Sequence, residues 1–136
     1  KWMGEFIKEA MKLEMEDDPY HDYLAFAIED QASHVVVGSV GSSYYEDFGE
    51  VGVTYFIGAD YRGNGYAAEA LKCFVEHMFA RYNLKKLVAT ANVKNTASCK
   101  TLEKAGFFVV ETKMYQDLFD ETEELSNIYE RTRTVV

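Results

Sequence analysis

Between Tyr66 and Tyr82 the apolar side chains fall at positions 66, 67, 70, 71, 74, 75, 78, 79 and 82, while Glu69, Lys72, Glu76, His77 and Arg81 occupy the gaps. Steps of three and four residues put the first group on one face of an α-helix and the second on its solvated face. Such a helix must lie against an apolar surface along its whole length. The segment before it supplies one: Glu50 to Gly58 (EVGVTYFIG) is rich in β-branched and aromatic residues, as strands are, and stops at a glycine. A buried-looking strand follows at Leu87 to Ala91. Strand, long helix and strand make a crossover, which favours parallel pairing of the two strands it joins.

The remaining segments fill in around this unit. Trp2, Met3, Phe6, Ile7, Ala10 and Met11 form an amphipathic helical pattern that ends before the Asp17-Asp18-Pro19 breaker. Tyr23 to Ile28 and Val35 to Val40 read as a hairpin, and Gly41-Ser42-Ser43 as the start of a looser stretch. Asn95 to Ala105 is a short helix, with Gly106 at the position of a left-handed cap and Phe107 placed to fold back on Leu102. Two strands, Phe107 to Tyr115 and Asn127 to Val135, flank the acidic loop DLFDETEEL. The expected order is helix, three strands, helix, strand, helix, two strands, an α/β arrangement around a mixed sheet.

Size and charge bound the function. At 136 residues, 48% of them hydrophobic, the chain suits one domain spanning residues 1–136. It opens on Lys1 and runs directly into a helical pattern, so we expect that domain to lack its first N-terminal element. A formal charge of -9 repels phosphate backbones and anionic lipid, which argues against nucleic acid and membrane as partners and favours a cationic one. No apolar run approaches the ~20 residues of a membrane-spanning helix. Two cysteines, Cys73 and Cys99, do not make a disulfide scaffold, and no Cys or His pair has the spacing of a zinc site. The expectation is a reducing, cytoplasmic location and no metal.

The turn between the Glu50 strand and the Tyr66 helix reads Arg62-Gly63-Asn64-Gly65. Unpaired amides at a helix start, glycines without Cβ and an adjacent arginine together attract phosphate. A tight turn alone would use the same glycines. Tyr66 and Ala67 stand where a Walker loop has Lys and Ser/Thr, and the third glycine of a dinucleotide fingerprint would fall at Ala68. A diphosphate held without metal is the remaining ligand.

Arg62-Gly63-Asn64-Gly65-Tyr66-Ala67 matches the R/Q-x-x-G-x-G/A motif of the GNAT superfamily of N-acetyltransferases, and NTASCKTLEKAGFF, from Asn95 to Phe108, resembles its second signature. The Asn-x-x-Ser form at Asn95 and Ser98 is similar to the branch that includes the ribosomal-protein N-terminal acetyltransferases. The resemblance implies a mixed, mostly antiparallel sheet splayed at the cofactor strand, with helices on both faces. It implies that the amides of residues 62–67 hold the pyrophosphate of acetyl-CoA and that Tyr55, Phe56 and Ile57 pair with its pantetheine arm. Asn92 and Asn95 would mark the other side of the splay.

The implied chemistry is direct attack of a neutral amine on the thioester, with a donor protonating the departing thiolate. Many relatives use a tyrosine that aligns here with Leu102, so this chain departs from them. By position in the Asn-x-x-Ser branch, Ser98 inherits the role, although a serine in a first turn capped by Asn95 is also ordinary. Cys99 reads as a small helix residue, and His21, His34 and His77 as surface histidines. For the acceptor amine and its deprotonation the candidates are Glu50, Glu111, Tyr115 and Asp117, none of them singled out. Asp117, Asp120, Glu121, Glu123 and Glu124 would draw a cation or simply be solvated. Tyr44 and Tyr45 would line an acceptor pocket or pack.

The leading expectation is thus an acetyl-CoA-dependent N-acetyltransferase acting on a protein N-terminus, amino acid, polyamine or amino sugar. Its rivals are a non-catalytic acetyl-CoA-binding regulatory module and an interaction domain that binds no cofactor. Dimers are common in the superfamily, and Asn127 to Val135 is a candidate edge for pairing in a homodimer.

Overall fold

The computed structural model describes residues 18–117 and 121–133. The amphipathic pattern from Trp2 to Met11 lies outside the described residues, so of the expected helices two are described here. Six strands and two helices follow in the order β1 (Leu24–Asp30), β2 (Val35–Tyr45), β3 (Glu50–Ile57), α1 (Tyr66–Arg81), β4 (Lys86–Asn92), α2 (Thr96–Lys104), β5 (Phe108–Tyr115) and β6 (Glu124–Thr132). The strands form one sheet in the order β1-β2-β3-β4-β6-β5. Every pairing is antiparallel except β3 with β4, the pair that α1 bridges. The mixed α/β sheet expected from the sequence is therefore the one observed.

The stripe on α1 is the centre of the core. Ala70, Leu71, Phe74, Val75 and Met78 are fully buried, and Phe74 meets Phe26 of β1 with ring centroids 6.0 Å apart. Val40, Val51 and Leu87 supply the sheet's side of the same cluster. The stripe's first two members, Tyr66 and Ala67, are only partly buried. Among the described residues no helix is long and apolar enough to cross a membrane.

Both ends of α2 are built as the sequence indicates. Asn95 Oδ1 accepts from the Ser98 amide at 3.1 Å, which satisfies one orphan donor of the first turn. At the other end Gly106 has φ of +95°, its N–H donates to Glu103 O and the Phe107 N–H to Leu102 O, each at 3.0 Å. This pair of bonds is a Schellman cap, and it buries Phe107 beside Leu102.

Three expectations need correcting. Gly41, Ser42 and Ser43 are not loose: β2 continues through them to Tyr45. The small residues are there because neighbouring backbones come close. A Cβ on Gly38 would stand 2.0 Å from Phe56 O, and one on Gly41 would stand 2.3 Å from Leu24 O. The last strand starts at Glu124, so the end of the acidic stretch is strand and not loop. It is also no edge: β6 is enclosed by β4 and β5, because the hairpin with β5 places β5 outermost.

The close approach at Gly38 sets β3 against β2 and is testable. Gly38→Ala is expected to cost about 1–3 kcal/mol by overpacking, measured as a lower urea midpoint at constant m. Ser39→Ala, on the exposed side of the same strand, is expected to stay within about 0.5 kcal/mol of the parent.

Candidate active site

β3 is held by β2 along its full length, from Tyr45↔Glu50 to Gly38↔Ile57. Its other edge pairs with β4 at a single position, Gly52↔Val88. Beyond Gly52 the two strands diverge, and the space between them opens into a cavity of about 1570 Å³. A strand edge left open inside a domain keeps donors and acceptors that something else must satisfy.

Tyr55, Phe56 and Ile57 line this cavity from the open edge. Where β3 ends, Arg62, Gly63 and Gly65 continue the wall, followed by Tyr66 and Ala67 from the first turn of α1. Gly63 and Gly65 have φ of +82° and +80°, and a Cβ on either would meet nothing within 4 Å. These glycines serve the left-handed backbone and leave open space above it; they are not packing contacts. Gly65 caps α1 without any side-chain hydrogen bond, so the helix presents first-turn amides to the cavity side. Arg62 Nε donates to Ile57 O at 3.0 Å, and its guanidinium lies 5.9 Å from the Phe56 ring centroid. Tyr66 donates to Asp30 at 2.5 Å and ties the helix start to the end of β1.

Across the cleft, Asn95 and Ser98 form the wall contributed by α2. Ser98 Oγ is 2.7 Å from the Tyr55 hydroxyl. Burial pushes the Tyr55 phenol above its ordinary value, against the opposing pull of its hydrogen bonds to Ser98 and Thr101. Cys99 Sγ donates to Asn92 O at 3.7 Å and does not line the cavity.

The opposite end of β3 carries a different chemistry. Tyr45, Asp47, Tyr115 and Asp117 line the cavity there. Phe48 stacks on Tyr45 and Tyr115 with centroids 6.0 and 5.3 Å away. Tyr115 donates to Asp47 Oδ2 at 3.4 Å, and Thr90 donates to Asp117. Burial, reinforced by Asp117 and Asp47, pushes the Tyr115 phenol up to about 12. Tyr45 is raised further, chiefly by burial and next by Asp117.

The candidates named from the sequence therefore fall into two sets. The donor-side candidates other than Asn64, together with Tyr115 and Asp117, gather around one cavity. Asn64, Glu50 and Glu111 do not line it. Asn64 donates from Nδ2 to Tyr61 O at 3.1 Å within the turn, Glu50 stands 4.0 Å from Lys86 Nζ, and Glu111 is 3.5 Å from Lys113 Nζ on exposed β5. Lys100, Lys104 and Asp47 line the cavity and were not among the candidates. The four-residue spacing of the two lysines on α2 marks one helix face, and only the fold shows which way that face looks.

The model for the acetyltransferase (GNAT) domain matches residues 2–108 of this chain. The chain belongs to the GNAT acetyltransferase family. Among curated GNAT relatives, the uncharacterized N-acetyltransferase YnaD of Bacillus subtilis (strain 168) is 36% identical over 67 residues, covering 46% of this chain and 38% of its own length. The chain spans less than half the length of the curated relatives it matches, 38% and 47%. Among solved structures, the ribosomal-protein-S5-alanine acetyltransferase from Vibrio fischeri superposes with a TM-score of 0.71 at 21% identity, covering 93% of this chain and 66% of that one. The microcin C7 self immunity acetyltransferase MccE, solved in complex with acetyl-CoA and AMP, gives 0.71 at 18% identity, covering 95% and 69%. At these identities the likeness is one of fold.

The tyrosine end of the GNAT cavity predicts an alkaline limit to stability. A free phenol titrates near ~10, and Tyr115 near about 12 in the folded chain. The unfolded chain therefore loses this proton first, so stability is full below pH ~10 and falls as pH rises through the folded value. Tyr115→Phe is expected to flatten that fall in the urea midpoint; an unchanged alkaline slope would show that this phenol does not set it.

Proposed function

We propose that this chain is an acetyl-CoA-dependent N-acetyltransferase whose donor and acceptor enter the two ends of the cavity along β3. The observation that carries the proposal is the opposed chemistry of those ends. Open glycine backbone, the start of α1 and Arg62 lie at one end, and Asp47, Asp117 and a tyrosine wall lie at the other. A pyrophosphate suits the first and a cationic amine the second. Lys100 and Lys104 add positive charge to the same cavity in a chain of net charge -9.

The residues present fit acetyl-CoA as donor. Gly63 and Gly65 leave room where a Cβ would otherwise stand, and the unpaired edge of β3 offers N–H and C=O groups to an amide-containing arm, as a neighbouring strand would. Arg62 is already braced by Ile57 O. We assign the turn from Arg62 to Ala67 and the edge from Tyr55 to Ile57 to the donor, with Asn95 shaping the turn that brings Ser98 alongside. Tyr115 and Asp117 are assigned to the acceptor, where the carboxylate holds an ammonium until a proton leaves to solvent. The neutral nitrogen then attacks the thioester carbon: the C–N bond forms, the C–S bond breaks, and Ser98 hands its hydroxyl proton to sulfur.

Titration calorimetry tests the donor first. The parent is expected to bind acetyl-CoA, and an Arg62→Ala, Gly65→Val double variant to lose at least ~10-fold in affinity, about 1.4 kcal/mol. A panel of primary amines, protein N-terminal peptides and polyamines with thiol release as readout then tests transfer. Binding without thiol release for any amine would favour the regulatory module, and absence of binding would remove the donor assignment.

A further inference from the structure

Tyr55 occupies the stretch of β3 that β4 leaves open, and its phenol reaches the first turn of α2, 43 positions further along the chain. There its hydroxyl reaches Ser98 O as donor at 3.3 Å and lies closer, at 2.7 Å, to Ser98 Oγ, a pair in which either oxygen can donate; the phenol has one hydrogen, so giving it to the shorter contact withdraws it from Ser98 O. Thr101, on the same face of the helix, is its other neighbour. The two α2 hydroxyls beside this phenol behave differently. Thr101 Oγ1 donates back to Ala97 O at 2.9 Å, the usual local bond of a helical threonine. Ser98 Oγ pairs instead with a side chain from the facing strand.

We infer that Tyr55 is a positioning residue for Ser98: its phenol donates to Ser98 Oγ and turns the serine's own hydrogen into the cavity. This rests on the reading of Ser98 as the proton donor to the departing thiolate. A serine hydroxyl rotates to suit whatever surrounds it. Once one lone pair accepts from Tyr55, the O–H must point elsewhere, and the cavity that Ser98 shares with the open edge of β3 is available to it. When the C–S bond breaks, the Ser98 proton goes to sulfur, and Ser98 recovers one from solvent. The proton released by the new amide nitrogen also goes to solvent, so no charge or electron is left over. Tyr55 keeps its proton throughout and meets the growing negative charge on Ser98 Oγ, where a hydrogen bond to an ionising partner is strongest. Burial that raises its pKa keeps it in the donating form.

The test is a cycle of Tyr55→Phe, Ser98→Ala and the double variant, followed by turnover, calorimetry with acetyl-CoA and thermal unfolding. Tyr55→Phe is expected to lower kcat about tenfold or more, and Ser98→Ala about 100-fold. KM and Kd for acetyl-CoA should stay within about twofold in both. The double variant should be no slower than Ser98→Ala, because Tyr55 then has nothing to position. In unfolding without any ligand, the two losses in Tm should be less than additive, as for side chains that share one bond. Parental kcat in Tyr55→Phe, losses in kcat that multiply, or additive losses in Tm would each overturn the inference. A parent that binds no acetyl-CoA, or binds it without turnover, overturns the reading beneath and this inference with it. A parent that turns over while Tyr55→Phe is unchanged overturns the positioning role alone.

Discussion

Everything in the site follows from the divergence of β3 and β4 after their one shared position, Gly52↔Val88. A central strand normally satisfies its backbone on both sides, and leaving one side open inside a domain has a cost unless water or a ligand fills it. The arrangement holds because β2 grips the other edge over eight consecutive pairs. That grip depends on Gly38, whose bare backbone lets Phe56 O of β3 approach, while Gly41 does the same for Leu24 O on the β1 side of the strand. With β3 fixed from one side, β4 is free to leave it, turn through Asn92 and Asn95 into α2, and bring Ser98 back across the gap.

The charge of the chain and the charge of the cavity point in different directions. A net charge of -9 disfavours polyanions at long range. At physiological ionic strength, however, exposed charges act over roughly 8 Å. Within that distance a ligand in the cavity meets Arg62, Lys100 and Lys104 on the walls, and at the far end Asp47 and Asp117. Under the proposed function, these local sets would sort an anionic donor from a cationic acceptor, and the acidic remainder of the surface would act on the approach of the amine.

What could be read from the chain was whatever local patterning encodes. Periodicity located α1, the Asn95 cap and Gly106 closed α2, and the crossover predicted the one parallel pair. The glycine turn was legible because φ above zero is a local demand. The misreadings share a cause. Gly41-Ser42-Ser43 looks like a turn by composition, and only the approach of Leu24 O from the neighbouring strand explains why a strand needs it. The placement of β6 inside the sheet depends on its pairing with β4, a contact between distant segments. Lys100 and Lys104 were visible as a helix face but not as a cavity wall. Glu50 and Glu111 are legible as carboxylates on the right strands, but which wall a strand residue faces depends on the sheet, and here they stand beside Lys86 and Lys113 and not on the cavity.

Ser98 shows why a structural and a chemical reading of one residue need not compete. Its amide belongs to the helix, since Asn95 accepts from it as cap. Its hydroxyl is not needed there and bonds across the cleft to Tyr55. The same division explains the position one turn later. Leu102 is fully buried, and its carbonyl closes the Schellman cap that seats Phe107. Leu102 also borders the cavity, but its aliphatic side chain is taken up by the apolar cluster and offers no hydroxyl there. With an aliphatic residue at 102, the hydroxyl that pairs with Ser98 comes from outside the helix. The open edge of β3 is the element that can deliver it.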